Sequence, residues 1–132
     1  MTSTTRQFVA QGISWDETIV MFIDHGGDDV YEGGGSFSQG ASAHNGFCIF
    51  LDLSGRKRFV SGSPQASAGP NDYHGGKSFS IFIATDGKNN YTSKMKASSI
   101  RLNGEDDLFA DLPNSIESAV KTKSWQGLIR KE

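Results

Sequence analysis

Hydrophobic residues in this chain cluster into short continuous runs separated by polar, glycine-containing stretches, and the runs recur. Ile19-Val20-Met21-Phe22-Ile23-Asp24 returns 28 positions later as Phe47-Cys48-Ile49-Phe50-Leu51-Asp52. The same shift lays Val9-Ala10-Gln11-Gly12-Ile13-Ser14 on Phe37-Ser38-Gln39-Gly40-Ala41-Ser42, Gly27 on Gly55 and Tyr31 on Phe59. A third copy follows 32 positions on, where Phe79-Ser80-Ile81-Phe82-Ile83 matches Phe47 to Leu51 and Gly87 precedes Tyr91 by the same interval of four. A fourth, partial copy is Leu108-Phe109-Ala110-Asp111, whose phenylalanine lies 27 positions after Phe82 and which restores the Phe-x-Asp of Phe22/Asp24 and Phe50/Asp52. Self-similarity at a steady period marks an architecture of stacked repeats.

Each part of the unit has a mechanical reading. The continuous apolar run predicts a strand covered on both faces or lying in a parallel sheet. Glycines mark the tight turn that follows, the aromatic at Tyr31, Phe59 or Tyr91 opens a second short strand, and the Phe37-Ser38-Gln39 region a third. One unit cannot bury its own apolar side; stacking equivalent strands about 4.8 Å apart can. The pattern predicts an all-β fold over residues 1–113, a short β-solenoid resembling a parallel β-helix, with about four coils of ~28 residues and two or three strands per coil. The surplus residues of the third spacing are assigned to an excursion over Ser63-Pro64-Gln65-Ala66-Ser67-Ala68-Gly69-Pro70.

The two ends differ. Over 114–132, Asn114 as N-cap with Glu117, and apolar residues at Ile116, Ala119, Val120, Trp125, Leu128 and Ile129, predict a capping helix from Ser115 to about Arg130, or two short ones. At the other end the repeat is already in progress by Val9, so the first coil edge reads as bare. Either the chain is the tail of a longer repeat protein or a partner covers that edge, a second copy in a homodimer being one choice.

Charge and composition narrow the classes. Thirteen basic against fifteen acidic residues, with no basic block longer than Arg56-Lys57-Arg58, argue against nucleic acid. The longest apolar run, Ile19 to Ile23, is far short of the roughly 20 residues of a membrane helix. The polar start Met1-Thr2-Ser3-Thr4-Thr5-Arg6 has no apolar segment behind it to serve as a signal peptide. A single cysteine excludes an intrachain disulfide and a multi-cysteine zinc site.

Candidate chemistry is sparse. Asp24, Asp52 and Asp111 recur at strand ends, as a carboxylate ladder for cations or sugar hydroxyls or, the preferred reading, as caps on the glycine turns. Asp24, Asp28 and Asp29 form the one cluster with the oxygen chemistry of a calcium site, although the next coil offers Arg56 and Lys57 there. Cys48 beside His44 invites a thiol nucleophile, but its register with Val20 and Ser80 predicts a buried small residue. Gln11-Gly12 and Gln39-Gly40 predict an amide ladder between coils. Asp72, Tyr73 and His74, in the stretch that breaks the period, are candidate binding residues; facing Asp28, Asp29 and Glu32 they would suit an acid pair across a sugar linkage.

The string from Phe22 to Gly34, Phe-Ile-Asp-His-Gly-Gly-Asp-Asp-Val-Tyr-Glu-Gly-Gly, followed by Ser38-Gln39-Gly40-Ala41, resembles the units of large bacterial repeat proteins that alternate Leu/Phe-x-Asp-x-x-Gly-x-Asp-x-Tyr with Ser-Gln-Gly-Ala. The resemblance covers roughly residues 8 to 112, with Arg56-Lys57 and Lys88-Asn89 where the pattern has Asn/Asp-Asp and Ala84 where it has Asp. It implies architecture and carries over no catalytic residue. The expected role is a non-enzymatic structural module contacting a protein or a glycan. The alternatives are a carbohydrate-active β-helix enzyme, lyase or hydrolase, and a calcium-stabilised repeat fragment.

Overall fold

The computed structural model describes residues 11–33, 39–69, 76–86, 88–102 and 106–130, and the chain winds into a β-solenoid of about three turns. The first turn comprises β1 (Ile13–Trp15), β2 (Ile19–Asp24) and β3 (Asp29–Glu32); the second comprises β4 (Ala41–Ala43), β5 (Phe47–Asp52) and β6 (Lys57–Val60). The third has β7 (Phe79–Thr85) and β8 (Asn90–Tyr91), and β9 (Ser99–Leu102) and β10 (Asp107–Leu112) follow. The strands form three walls: β2-β5-β7-β10-β9, β3-β6-β8, and β1-β4. Successive turns pair in parallel, with Phe22 opposite Phe50, Phe50 opposite Phe82 and Phe82 opposite Phe109, at the offsets read from the sequence.

Because side chains alternate across a strand, each apolar run serves two faces. On β5 the inward Cys48, Phe50 and Asp52 are buried and the outward Phe47, Ile49 and Leu51 half-buried. Inside, the rings of Phe22, Phe50, Phe82 and Phe109 stack with centroids 4.6, 4.9 and 5.3 Å apart. Tyr31, Phe59 and Tyr91 from the adjoining wall form a second column at 5.0 Å per step. The columns meet edge-on, as for Phe59 on Phe82 at 5.1 Å and 76°. Such geometries add about 0.5–1.5 kcal/mol per pair beyond burial.

The third wall corrects the placement of the excursion. Gln39 Nε2 donates to Gln11 Oε1 at 3.0 Å, Gln65 Nε2 donates to Gln39 Oε1, and Ser93 Oγ donates to Gln65 Oε1 at 2.7 Å. The stack continues as Ser42 N donates to Ser67 O and Gly69 N donates to Ser42 O. Gln65-Ala66-Ser67-Ala68 is thus the third copy of Gln39-Gly40-Ala41-Ser42, and the surplus falls between Ala68 and Phe79. Ala66 disguises it by standing where Gly40 stands, with a positive φ of 59°. Asp72, Tyr73 and His74 lie outside the described residues, as does Gly87.

The far end also departs from expectation. The fourth copy supplies β10 alone, and β9 returns antiparallel beside it, so the stack ends in a hairpin rather than a fourth turn. The N-cap is Ser115 rather than Asn114: Ser115 Oγ accepts from Ser118 N, and α1 spans Ile116–Thr122. Lys123, with φ 53°, divides it from a 3-10 turn at Ser124–Leu128, which selects the two-helix alternative. Ile129 then bridges Ile100 and Arg130 N donates to Ile100 O at 2.9 Å, engaging the free edge of β9.

Turn stacking is tightest at Gly55. A Cβ there would lie 1.9 Å from Gly27 O, and its φ is +86°. Gly55→Ala is therefore expected to destabilise by about 3 kcal/mol, read as a lower urea midpoint at unchanged slope. An unchanged midpoint would mean the turns do not stack as described.

Candidate functional site

The recurring acids do not form a ladder at the surface. Asp24, Asp52 and Asp111 end the inward face of their strands, and Asp52 and Asp111 are buried. The turn-capping expectation holds at Asp24, whose Oδ1 accepts Gly26 N at 3.0 Å. Elsewhere the partners are inside the coil. Tyr31 Oη lies 2.7 Å from Asp52 Oδ2 and 3.0 Å from Asp24 Oδ2 and is shared between them. Asp111 Oδ2 accepts from Tyr91 Oη at 2.6 Å and Asn89 Nδ2 at 2.9 Å, and its Oδ1 accepts from Ser98 N at 2.8 Å.

Lys57 completes the network. It is 2% exposed, in register with Asp29, and its Nζ lies 3.1 Å from Asp52 Oδ1 while donating to Thr85 O at 2.8 Å. Phe59 in the second turn lacks the hydroxyl that Tyr31 and Tyr91 use, and Lys57 supplies the missing positive partner. Ala84 interrupts the column between Asp52 and Asp111, so those two carboxylates are not neighbours. Burial raises the Asp52 carboxyl above the ordinary carboxylate range, while the Tyr31 hydroxyl and Lys57 pull it back. Burial and the two acids likewise raise the Tyr31 hydroxyl well above its usual value.

Of the three acids read as a calcium cluster, the structure brings together Asp24 and Asp29 and adds Asp52, with one oxygen of each within 4.8 Å of the others. Asp28 is elsewhere, its Oδ1 accepting Arg56 N at 2.9 Å. The ammonium of Lys57 already occupies the Asp52 corner of this cluster. Of the acids read as one side of a sugar-linkage pair, Asp29 turns inward and Glu32 outward on β3; the other side, Asp72 to His74, lies outside the described residues. Cys48 is buried, its thiol donates to Gly12 O at 3.0 Å, and burial pushes it up to about 12, so it is no nucleophile. His44 packs its ring edge-on against Trp15 at 4.7 Å.

What the motifs did not single out is the outward face of the largest wall. The outward residues of β2 (Ile19, Met21, Ile23), of β5 (Phe47, Ile49, Leu51) and of β7 from Phe79 through Ile81 to Ile83 are all apolar; Thr85, which ends β7 on that side, is buried with its hydroxyl donating to Leu53 O at 2.8 Å. Ile19 is 81% exposed and Met21 59%. The continuous runs carry this signal: they predict strands covered on both faces or lying in a parallel sheet, the sheet is parallel, and among the described residues cover on the outward face lies at one end. There α1 lies over β10, burying Ala110, Leu112 and Ala119. No helix among the described residues is long and apolar enough to cross a membrane. In comparisons with known proteins, no family model, curated protein or solved structure matches this chain.

Two expectations test the interior. Lys57→Met leaves Asp52 buried without its cation and is expected to cost about 3–5 kcal/mol, whereas Lys57→Met with Asp52→Asn recovers most of it; urea unfolding of both variants decides. Asp29 is raised above its ordinary value by burial, then by the neighbouring Asp24 charge. The folded state therefore binds its proton more readily than the unfolded chain. That contribution is full below the unfolded value of 3.8 and is lost as pH rises through the raised native value. Asn89 supplies an amide at the matching place in the third turn, where it accepts Lys57 N. Asp29→Asn should accordingly be neutral at about pH 3 and stabilising at about pH 7 in a pH series of unfolding curves; destabilisation confined to neutral pH would show the charge to be favourable.

Proposed function

We propose that this protein is a non-enzymatic interaction module that docks another protein on the outward face of β2, β5 and β7. The observation that carries the reading is the uninterrupted apolar surface of those three strands. Contiguous apolar patches beyond a few hundred Å² mark interaction sites far more often than free surface. An apolar face also favours protein over glycan, because its side chains offer nothing to a sugar's hydroxyl groups. The interior acids support the non-enzymatic part: they are directed at Tyr31, Tyr91, Lys57 and Asn89 rather than toward a substrate.

A photo-crosslinking side chain at Met21, compared with one at Arg58 on the exposed side of β6, tests it in cells producing the full chain. Covalent protein adducts concentrated at Met21 are expected. Equal yields at both positions, or turnover of any member of a polysaccharide panel, would overturn the reading.

A further inference from the structure

The outward face is not flat, and its shape specifies a partner. Resting on the docking role above, we infer that the partner is a second copy of this chain, stacked face to face about a two-fold axis along the strands. The floor is formed by β2, β5 and β7, and α1 rises from its far end. Between them runs an open apolar groove of about 350 Å³, with Ile83 and Leu108 below and Ile116, Val120 and Trp125 along the helix side. Val120 is 62% exposed. It lines this groove together with Ile83 of β7, four residues from Ile116 on the same flank of α1.

A helix packed on a sheet stands about 10 Å above it, and two sheets packed face to face also lie about 10 Å apart. A second floor turned over onto the first therefore lies level with α1. The two-fold then sets β2 of each copy beside the helix of the other, which brings Val120 against the partner's Ile19 and Met21. One contact covers both sets of exposed apolar residues, and it is isologous, so it closes at two copies. The exposed Glu117–Lys121 ion pair lies on the far side of α1 from Ala119 and stays in solvent. Three strands at about 4.8 Å spacing and about 20 Å long, with the helix flank, present on the order of 500 Å² per copy. The pair then buries roughly 1,000 Å², near the lower limit for a specific interface, so the dimer should depend on concentration.

Sedimentation velocity of the full chain over a wide concentration range is expected to show monomer converting to dimer. Met21→Glu and Val120→Glu should each weaken dimerisation by about tenfold or more, with unchanged circular dichroism and melting. Geometry is tested by mixing Met21→Cys with Val120→Cys under oxidation: the mixture should form a disulfide-linked pair, and neither variant alone should. Cys48, buried with its thiol engaged, stays out of the exchange. Self-crosslinking of Met21→Cys alone would report pairing along the first coil edge and overturn the face-to-face arrangement. A chain that is monomeric throughout but crosslinks a different protein at Met21 would overturn the self-pairing and leave the docking role standing. A monomer with no adduct at Met21 would overturn both.

Discussion

Parallel stacking at one fixed pitch is the constraint on which the rest of this structure depends. Strands repeat about every 4.8 Å, and the Phe22, Phe50, Phe82 and Phe109 rings repeat at nearly that interval. Each turn must therefore place the same ring at the same height. Ring stacking alone does not forbid a slip of one residue, because the residues such a slip would bring inward are Ile, Leu, Met and Phe. The polar column does forbid it. A one-residue slip of β5 would carry Asp52 out to the surface, strand Lys57 in the interior and leave Tyr31 without its closer acceptor. In this coil the buried charges specify register while the aromatic columns supply cohesion.

How far the sequence could be read follows from that division. Identity at fixed offsets exposes whatever must repeat in every turn, so the strand pairings and the burial of Cys48 were visible in advance. Features that replace the repeat were not. Gln65-Ala66-Ser67-Ala68 uses alanine at positive φ where glycine is expected, and its flanking prolines resemble a loop. The Asp-to-glycine spacing describes a turn cap, which is true of Asp24, but the dominant partners of Asp52 and Asp111 lie one turn away or on the next wall, where local pattern is blind. One clue was present: Lys57 stands where the repeat places an acid, and a lone cation in an acidic register has a partner to neutralise.

The outward face was legible in its residues but not in its meaning. A run of five apolar residues states that both sides of a strand avoid water; it does not state whether the cover belongs to the same chain. Here the size of the side chains settles where the chain covers itself. Along the row Ile23, Leu51, Ile83, Ala110 the residues are large until the last strand. The step down to Ala110 makes a shallow seat in which Ala119 of α1 is buried.

Small against small lets a helix backbone approach a sheet closely, whereas the branched residues of β2 and β5 hold any helix further off. Extending α1 across the floor would thus leave it on a raised, uneven surface. A second sheet has no such difficulty, because its alternating side chains interdigitate with branched ones at the normal spacing between sheets. The distribution of alanine and isoleucine along one row thus separates the part of the face made for this chain's own helix from the part suited to another sheet. Among the described residues the buried acids already have partners, Tyr31 and Lys57 at Asp52 and Tyr91 and Asn89 at Asp111, whereas the large apolar residues of that row remain on the outward face.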